Sequence, residues 1–242
     1  MGFAVVQAMV VLLLLTGHGM GELDQYSLAA TGITGLLTIP IALWLMRLDD
    51  RQGGFYRQGR FKRRLRPGEI VWMLLLGMSV CHLANMLLSV LQIARLFPGY
   101  EDLSERVFAN QSFWPMLLWV GIVAPIAEEL IFRGLIFRRL LDHMRLGWAI
   151  GISALLFGAY HGNMLQFLYA GILGACFAYC YYRLDSLWAP VLLHMGANCW
   201  SVALTQLAAE GGASMQLGYF LLLAMGVEAA VLVFSILMFC KK

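Results

Sequence analysis

The chain has 242 residues, 61% of them hydrophobic and only 13% charged, with a formal net charge of +3. Soluble domains run to about 45–50% apolar and about 25% charged, so this composition excludes an ordinary soluble globular domain. The fold it predicts is all-α: a polytopic bundle of about eight transmembrane helices.

In chain order, eight apolar segments approach the length of about 20 residues that a helical span needs. They are 3–19, 27–46, 69–92, 113–137, 147–164, 166–182, 187–208 and 217–240. The first has no basic leading region and no small-residue cleavage site, and it reads as a retained helix rather than a signal peptide. Between the second and third segments, the 47–67 loop carries Arg51, Arg57, Arg60, Lys62, Arg63, Arg64 and Arg66. Arg138, Arg139 and Arg145 follow the fourth segment, Arg183 the sixth, and Lys241 and Lys242 the last. If all eight segments cross, these cations share one side, while Glu22, Asp24, Glu101, Asp102, Glu105 and Glu210 occupy the other. The positive-inside rule then puts both termini in the cytoplasm. Gly53-Gly54 and Pro98-Gly99 are turn punctuation. Pro190 suits the first turn of the seventh helix.

The five cysteines, Cys81, Cys176, Cys180, Cys199 and Cys240, suit neither a disulfide frame nor a zinc knuckle. Buried free thiols are the expectation, with Cys176 and Cys180 as packing residues.

The fourth segment holds Glu128, Glu129 and Arg133 in a run otherwise apolar from Phe113 to Phe137. Each charge near a bilayer centre costs roughly 2.5–3.5 kcal/mol on insertion scales, so three together call for a role. Arg133 lies four residues after Glu129 and can pair with it, while Glu128 points about 100° round the helix and stays available. Pro125 removes a backbone donor three residues before Glu128 and can kink the helix, opening room for water. A plainer reading is a charge cluster at a membrane boundary.

Further residues recur at a spacing of four: Phe157 and the polar His161 on the fifth segment, His194 and Asn198 on the seventh. Each is an ordinary packing partner by itself, but with Glu128 they would bring three helices to one interior cavity. Counted from the last cytoplasmic charge, His194 lies roughly 10 Å deep, Glu128 about 14 Å, Asn198 about 16 Å and His161 near 22 Å. A carboxylate beside a histidine can deprotonate a water. A histidine and an asparagine on one face can donate to a developing oxyanion. Zinc held by Glu128, His161 and His194 is the alternative, although no His-Glu-x-x-His helix is present. The expected cofactor set is therefore none, with zinc kept open.

Glu128-Glu129-x-x-x-Arg133, Phe157-x-x-x-His161 and His194-x-x-x-Asn198, in this order, resemble the CPBP family of intramembrane glutamic endopeptidases. That family comprises type II CAAX prenyl proteases and bacteriocin-processing or immunity-associated relatives. The resemblance covers roughly 112–207 and implies an intramembrane endopeptidase. It implies that Glu128 and His161 hold the water, that His194 and Asn198 form the oxyanion site, and that Glu129 and Arg133 support them. The chain then divides into N-terminal helices over 1–111, a catalytic core over 112–207 and a C-terminal helix over 208–242.

The partners implied are membrane lipid and a peptide or lipidated protein substrate, without nucleic acid. The setting implied is the plasma membrane of a prokaryote. Two other readings stand beside the peptidase. One is a non-catalytic immunity or peptide-binding protein of the same fold. The other is a proton-coupled transporter using Glu128, Glu129 and Glu228, which predicts internal repeats that the chain does not display. Glu228 is an unpaired acid by sequence, either protonated or partnered by Arg133 or a histidine, and His82, Asn85 and His18 read as structural.

Overall fold

The computed structural model describes residues 23–53, 63–96 and 111–211, together with 226, 228–231, 233 and 235. Segment 3–19 and most of segment 217–240 lie outside the described residues, as does His18. Among the described residues there is no strand. Six helices are traced end to end among the described residues: α1 (Leu23–Gln52), α2 (Pro67–Val90), α3 (Phe113–His143), α4 (Leu146–Tyr160), α5 (Met164–Leu184) and α6 (Trp188–Gly211). A short 3₁₀ turn, Ile93–Leu96, follows α2. Four of them, α1 from Leu28 onward, α2, α3 and α5, are long and apolar enough to cross a bilayer. The chain is a helical membrane protein with about four such spans described. The eight-span topology and the side of each terminus extend beyond these residues.

Local chemistry sets the helix ends. Pro67 opens α2, where its missing N–H costs nothing, and the Glu69 carboxylate accepts from the Arg66 backbone N–H at 2.8 Å. Glu69 also accepts from Arg63 at 2.5 Å. The side chain of Asn163 caps α5 by accepting from the Gln166 N–H at 2.8 Å. Gly162 precedes it at φ +76°, a left-handed conformation that favours glycine. This turn joins α4 and α5 into a tight antiparallel pair.

α3 is the irregular member. It runs as α-helix over Phe113–Met116, widens to π-helix over Leu117–Val123, returns to α over Ala124–Glu129, and widens again over Leu130–Phe137. π-Helical turns are rare and gather at functional sites. Here they bracket the two glutamates on both sides. α3 also continues through Arg138 and Arg139 to His143. α1 likewise runs on past 46 to Gln52, so the expected loop at 47–52 is helix. The two extensions meet: Arg138 pairs with Asp50 at 2.5 Å and Arg139 with Asp49 at 2.8 Å. These arginines are clamps between helices, not the boundary markers that the depth count assumed.

That changes the depths. Glu128 lies 16 residues before Met144, and His161 lies 16 residues after Arg145. Both therefore stand about 24 Å from the α3–α4 turn. The expected mismatch for His161 came from counting Glu128 from Arg138.

α2 and α6 cross at backbone contact. A Cβ on Gly77 would fall 1.9 Å from the Leu193 carbonyl oxygen, and one on Gly196 would fall 2.2 Å from that of Leu74. Small residues let helix backbones approach where lipid supplies no hydrophobic drive for association. The buried cluster beside this crossing contains Met73, Leu76, Phe132, Phe157, Phe177 and Leu193, so the crossing seats the floor under the glutamates. We expect Gly77→Leu and Gly196→Leu each to destabilise the protein by at least ~1–3 kcal/mol, the scale of overpacking. Gly147→Ala, with nothing within 4 Å of its Cβ, serves as the neutral control. Thermal midpoints in detergent check this, and wild-type midpoints for both leucine variants would exclude the crossing.

Candidate active site

Arg133 and Glu129 have no exposed surface. Arg133 Nη1 donates to Glu129 Oε1 at 2.8 Å, and Nη2 donates to the Gly174 carbonyl of α5 at 2.8 Å. The guanidinium carbon sits 4.5 Å from the Phe157 ring centre and 5.2 Å from that of Phe177. A desolvated cation over aromatic faces gains about 2 kcal/mol from each good contact. There is little room at Gly174, because a Cβ there would lie 3.2 Å from Nη2 and 3.0 Å from Phe157, and both neighbours would have to give. The i,i+4 pair expected from the sequence is thus present. The Phe157–Phe177 sandwich and the Gly174 carbonyl were not legible from spacing.

Glu129 has a second partner. His194 Nδ1 lies 3.0 Å from the same Oε1, so Arg133 and His194 converge on one carboxylate oxygen. A carboxylate accepts, so Nδ1 carries the proton and Nε2 turns away from Glu129. His194 also stacks on Phe177, with ring centres 4.8 Å apart. Its Nε2 lies 3.8 Å from Glu128 Oε2, within ion-pair range but beyond a hydrogen bond. Glu128 keeps 9% of its surface exposed and lines a cavity while Glu129 keeps none, so the two adjacent acids divide into an accessible one and a sealed one.

His161 caps the end of α4, with Nδ1 2.9 Å from the Phe157 carbonyl. The last carbonyls of a helix have no partner within it, and the imidazole N–H takes one of them. Its Nε2 is left as an acceptor. Asn198 Nδ2 donates to the Val120 carbonyl of α3 at 2.9 Å, and next to it Cys199 Sγ lies 3.5 Å from the Gly121 carbonyl.

A cavity of about 750 Å³ unites these groups. Glu128, His161, His194 and Asn198 all line it, with Tyr160 and Tyr169 among its other polar walls. Leu28, Leu88, Met116 and Leu173 supply apolar wall. Each residue singled out for chemistry by sequence therefore reaches one space, while Glu129 and Arg133 lie behind it. Tyr160, directly before His161, stands within electrostatic reach of Glu128. It was overlooked because a tyrosine at a helix end carries no motif. Asn85, read as structural, also lines the cavity and donates to Cys81 Sγ at 3.3 Å.

Glu228 is held away from this site. Its Oε2 lies 2.7 Å from His82 Nδ1, close enough for an ion pair but off the direction of a hydrogen bond, and both residues are buried. The acid's partner is thus a histidine of α2, not Arg133. For zinc, among the described residues no three His, Cys, Asp or Glu side chains are gathered as ligands of one ion.

Fold and site together define a helical membrane protein with a carboxylate–imidazole cavity sealed from below by a buried ion pair. Residues 110–200 match the family described as type II CAAX prenyl endopeptidase Rce1-like, and all the cavity's motif residues fall in this range. Over this segment the match supports the CPBP/CAAX protease family. A curated relative, "Putative membrane peptidase YdiL" of Bacillus subtilis (strain 168), is 34% identical over 87 residues. The match covers 36% of this chain and 36% of the relative. No solved structure matches the chain.

Removing Arg133 would leave the fully buried Glu129 without its counter-charge and with only the His194 contact. Breaking a buried pair in this way costs about 3–5 kcal/mol, because a charge is left uncompensated. Arg133→Ala should therefore lower yield and thermal midpoint as well as any activity. A variant with wild-type stability, measured in detergent, would show that the pair carries no structural weight.

Proposed function

We propose that this protein is an intramembrane endopeptidase that hydrolyses a peptide bond of a membrane-associated or lipidated substrate. The observation that carries the reading is that Glu128, His161, His194 and Asn198, from three helices, line one cavity in a membrane protein. Glu128 takes a proton from a water that the free Nε2 of His161 orients, and the water attacks the scissile carbonyl. Asn198, with one amide N–H spent on Val120, offers its second to the oxyanion. His194 can donate from Nε2 only as the doubly protonated ring, since Nδ1–H is committed to Glu129. The proton collected by Glu128 then leaves with the amine as the C–N bond breaks. Glu129 and Arg133 act by holding His194 and the packing beneath it.

The apolar wall of the cavity suits a substrate segment that enters from the lipid. The basic 47–67 stretch and both termini are assigned to the cytoplasmic side, in the plasma membrane of a prokaryote. No cofactor is assigned. Glu128, His161 and His194 would be the ligands of a zinc ion, which would polarise the water and the carbonyl, but the three are not gathered around one point here.

Glu128→Gln removes the base and keeps the shape. Cleavage should fall by at least about 10²-fold, the scale of a general base, with membrane insertion preserved. Comparing the membrane peptides of cells carrying wild-type or Glu128→Gln protein supplies the substrate and the test together. Equal cleavage of every peptide by the variant would remove Glu128 from the mechanism.

Metal dependence separates the two versions of the chemistry. The metal-free version predicts less than stoichiometric zinc in the purified protein and most activity surviving exhaustive chelation. It is supported by Asn198 sharing a helix face with His194, as a donor pair would. Stoichiometric zinc whose removal abolishes cleavage, with recovery on adding zinc back, would make the three residues ligands.

A further inference from the structure

A proline inside a helix withholds the N–H that would close the preceding turn. For Pro125 the orphaned acceptor is Gly121 O in α register, or Val120 O in the π register that α3 adopts here. The register is visible next door, where the Ala124 N–H bonds Trp119 O, five residues back. Continued by one residue, the same pattern would join residue 125 to Val120 O. That bond is impossible for proline, and Val120 O instead accepts from Asn198 Nδ2 at 2.9 Å. Gly121 O, the alternative acceptor, lies against Cys199 Sγ at 3.5 Å. The two carbonyls that Pro125 could have served are thus the two that neighbouring side chains of α6 reach.

A carbonyl buried in lipid without a donor costs several kcal/mol, so the vacancy on α3 draws a donor from α6. It draws that donor to a defined place. Asn198 is fixed by one amide N–H, one helical turn beyond His194, with the rest of its amide left to face the cavity. Gly121 makes the approach possible, because a Cβ there would meet Cys199 Sγ at 2.9 Å.

We propose that Pro125 is a positioning residue: by leaving Val120 O unpaired, it orients the Asn198 amide toward the substrate carbonyl. Its effect is exerted through Asn198 and not through a kink or a wetted gap. The inference rests on the peptidase reading for its kinetic readout, but its spectroscopic readout is independent of it.

The test is Pro125→Ala, which returns an N–H to residue 125 and lets the helix reclaim Val120 O. A merely structural proline and a positioning one then predict opposite pairings of effects. Alanine favours a helix over proline, which offsets the small cavity left at this fully buried position, so the thermal midpoint in detergent should hold. kcat should nevertheless fall about tenfold or more with KM unchanged, as for loss of an interaction made only in the transition state. In an Asn198→Ala background the same Pro125 substitution should cost nothing further. In protein labelled with ¹⁵N at asparagine side chains, the Asn198 amide resonance should shift in Pro125→Ala.

Wild-type kcat together with an unmoved Asn198 resonance would overturn the inference. So would additive losses in the double variant. A drop in midpoint that tracks the loss of activity would likewise overturn it in favour of a packing role. Glu128→Gln run alongside keeps the two readings apart. If that variant cleaves normally, the peptidase mechanism fails while the resonance shift still decides the role of Pro125.

Discussion

Arg133 carries a full charge with no exposed surface, and the rest of the core is arranged so that it can remain there. Desolvating a guanidinium costs several kcal/mol even after relaxation, and Coulomb attraction repays it only with good geometry on every side. Glu129 supplies the counter-charge, Gly174 a backbone acceptor, and Phe157 and Phe177 the aromatic faces. Four positions on three helices are thereby committed to one side chain. His194 joins the same carboxylate oxygen, so the ring that faces Glu128 is oriented by the ion pair that holds α3, α4 and α5 together. Stability and chemistry share a single node.

This arrangement explains why two adjacent glutamates have different lives. Glu129 is consumed by two charge-assisted or polar contacts on one oxygen and is sealed from water. Glu128, one residue and about 100° further round, faces the cavity. The π-helical turns on either side of the pair alter the local winding, so residues of α3 reach partners that a uniform α-helix would aim elsewhere. Such irregularity is tolerable in a membrane only where neighbouring helices satisfy the displaced backbone groups, as Asn198 does for Val120 O. The buried His82–Glu228 contact is a second place where a carboxylate meets an imidazole, made between α2 and the C-terminal stretch, outside the motif residues.

Much of the site was legible in the chain because its members obey helical spacing. Glu129 and Arg133 are four apart, as are Phe157 and His161, and His194 and Asn198, and in each case the spacing places both on one face. Helix existence was equally legible from apolar run length, and the four long spans fall where apolar content predicts them. What failed were the ends. Arg138, Arg139 and the 47–52 stretch read as loop because charge normally marks the membrane boundary. They are helical because Asp49 and Asp50 neutralise the two arginines across the α1–α3 contact.

By itself, then, the sequence determined that the chain is a helical membrane protein, which residues share each helix face, and which of them are too costly to bury without a task. Those properties follow from composition and from a 3.6-residue period, both local. Only the tertiary structure decided that Glu129 serves Arg133 and His194 at once, that Phe157 and Phe177 enclose the guanidinium, and that Glu228 meets His82. It alone placed Asn198 on the carbonyl left vacant before Pro125. Beyond the Glu129–Arg133 pair itself, these contacts join residues 24 to 146 positions apart, and no periodicity along one helix reports the register in which another packs against it.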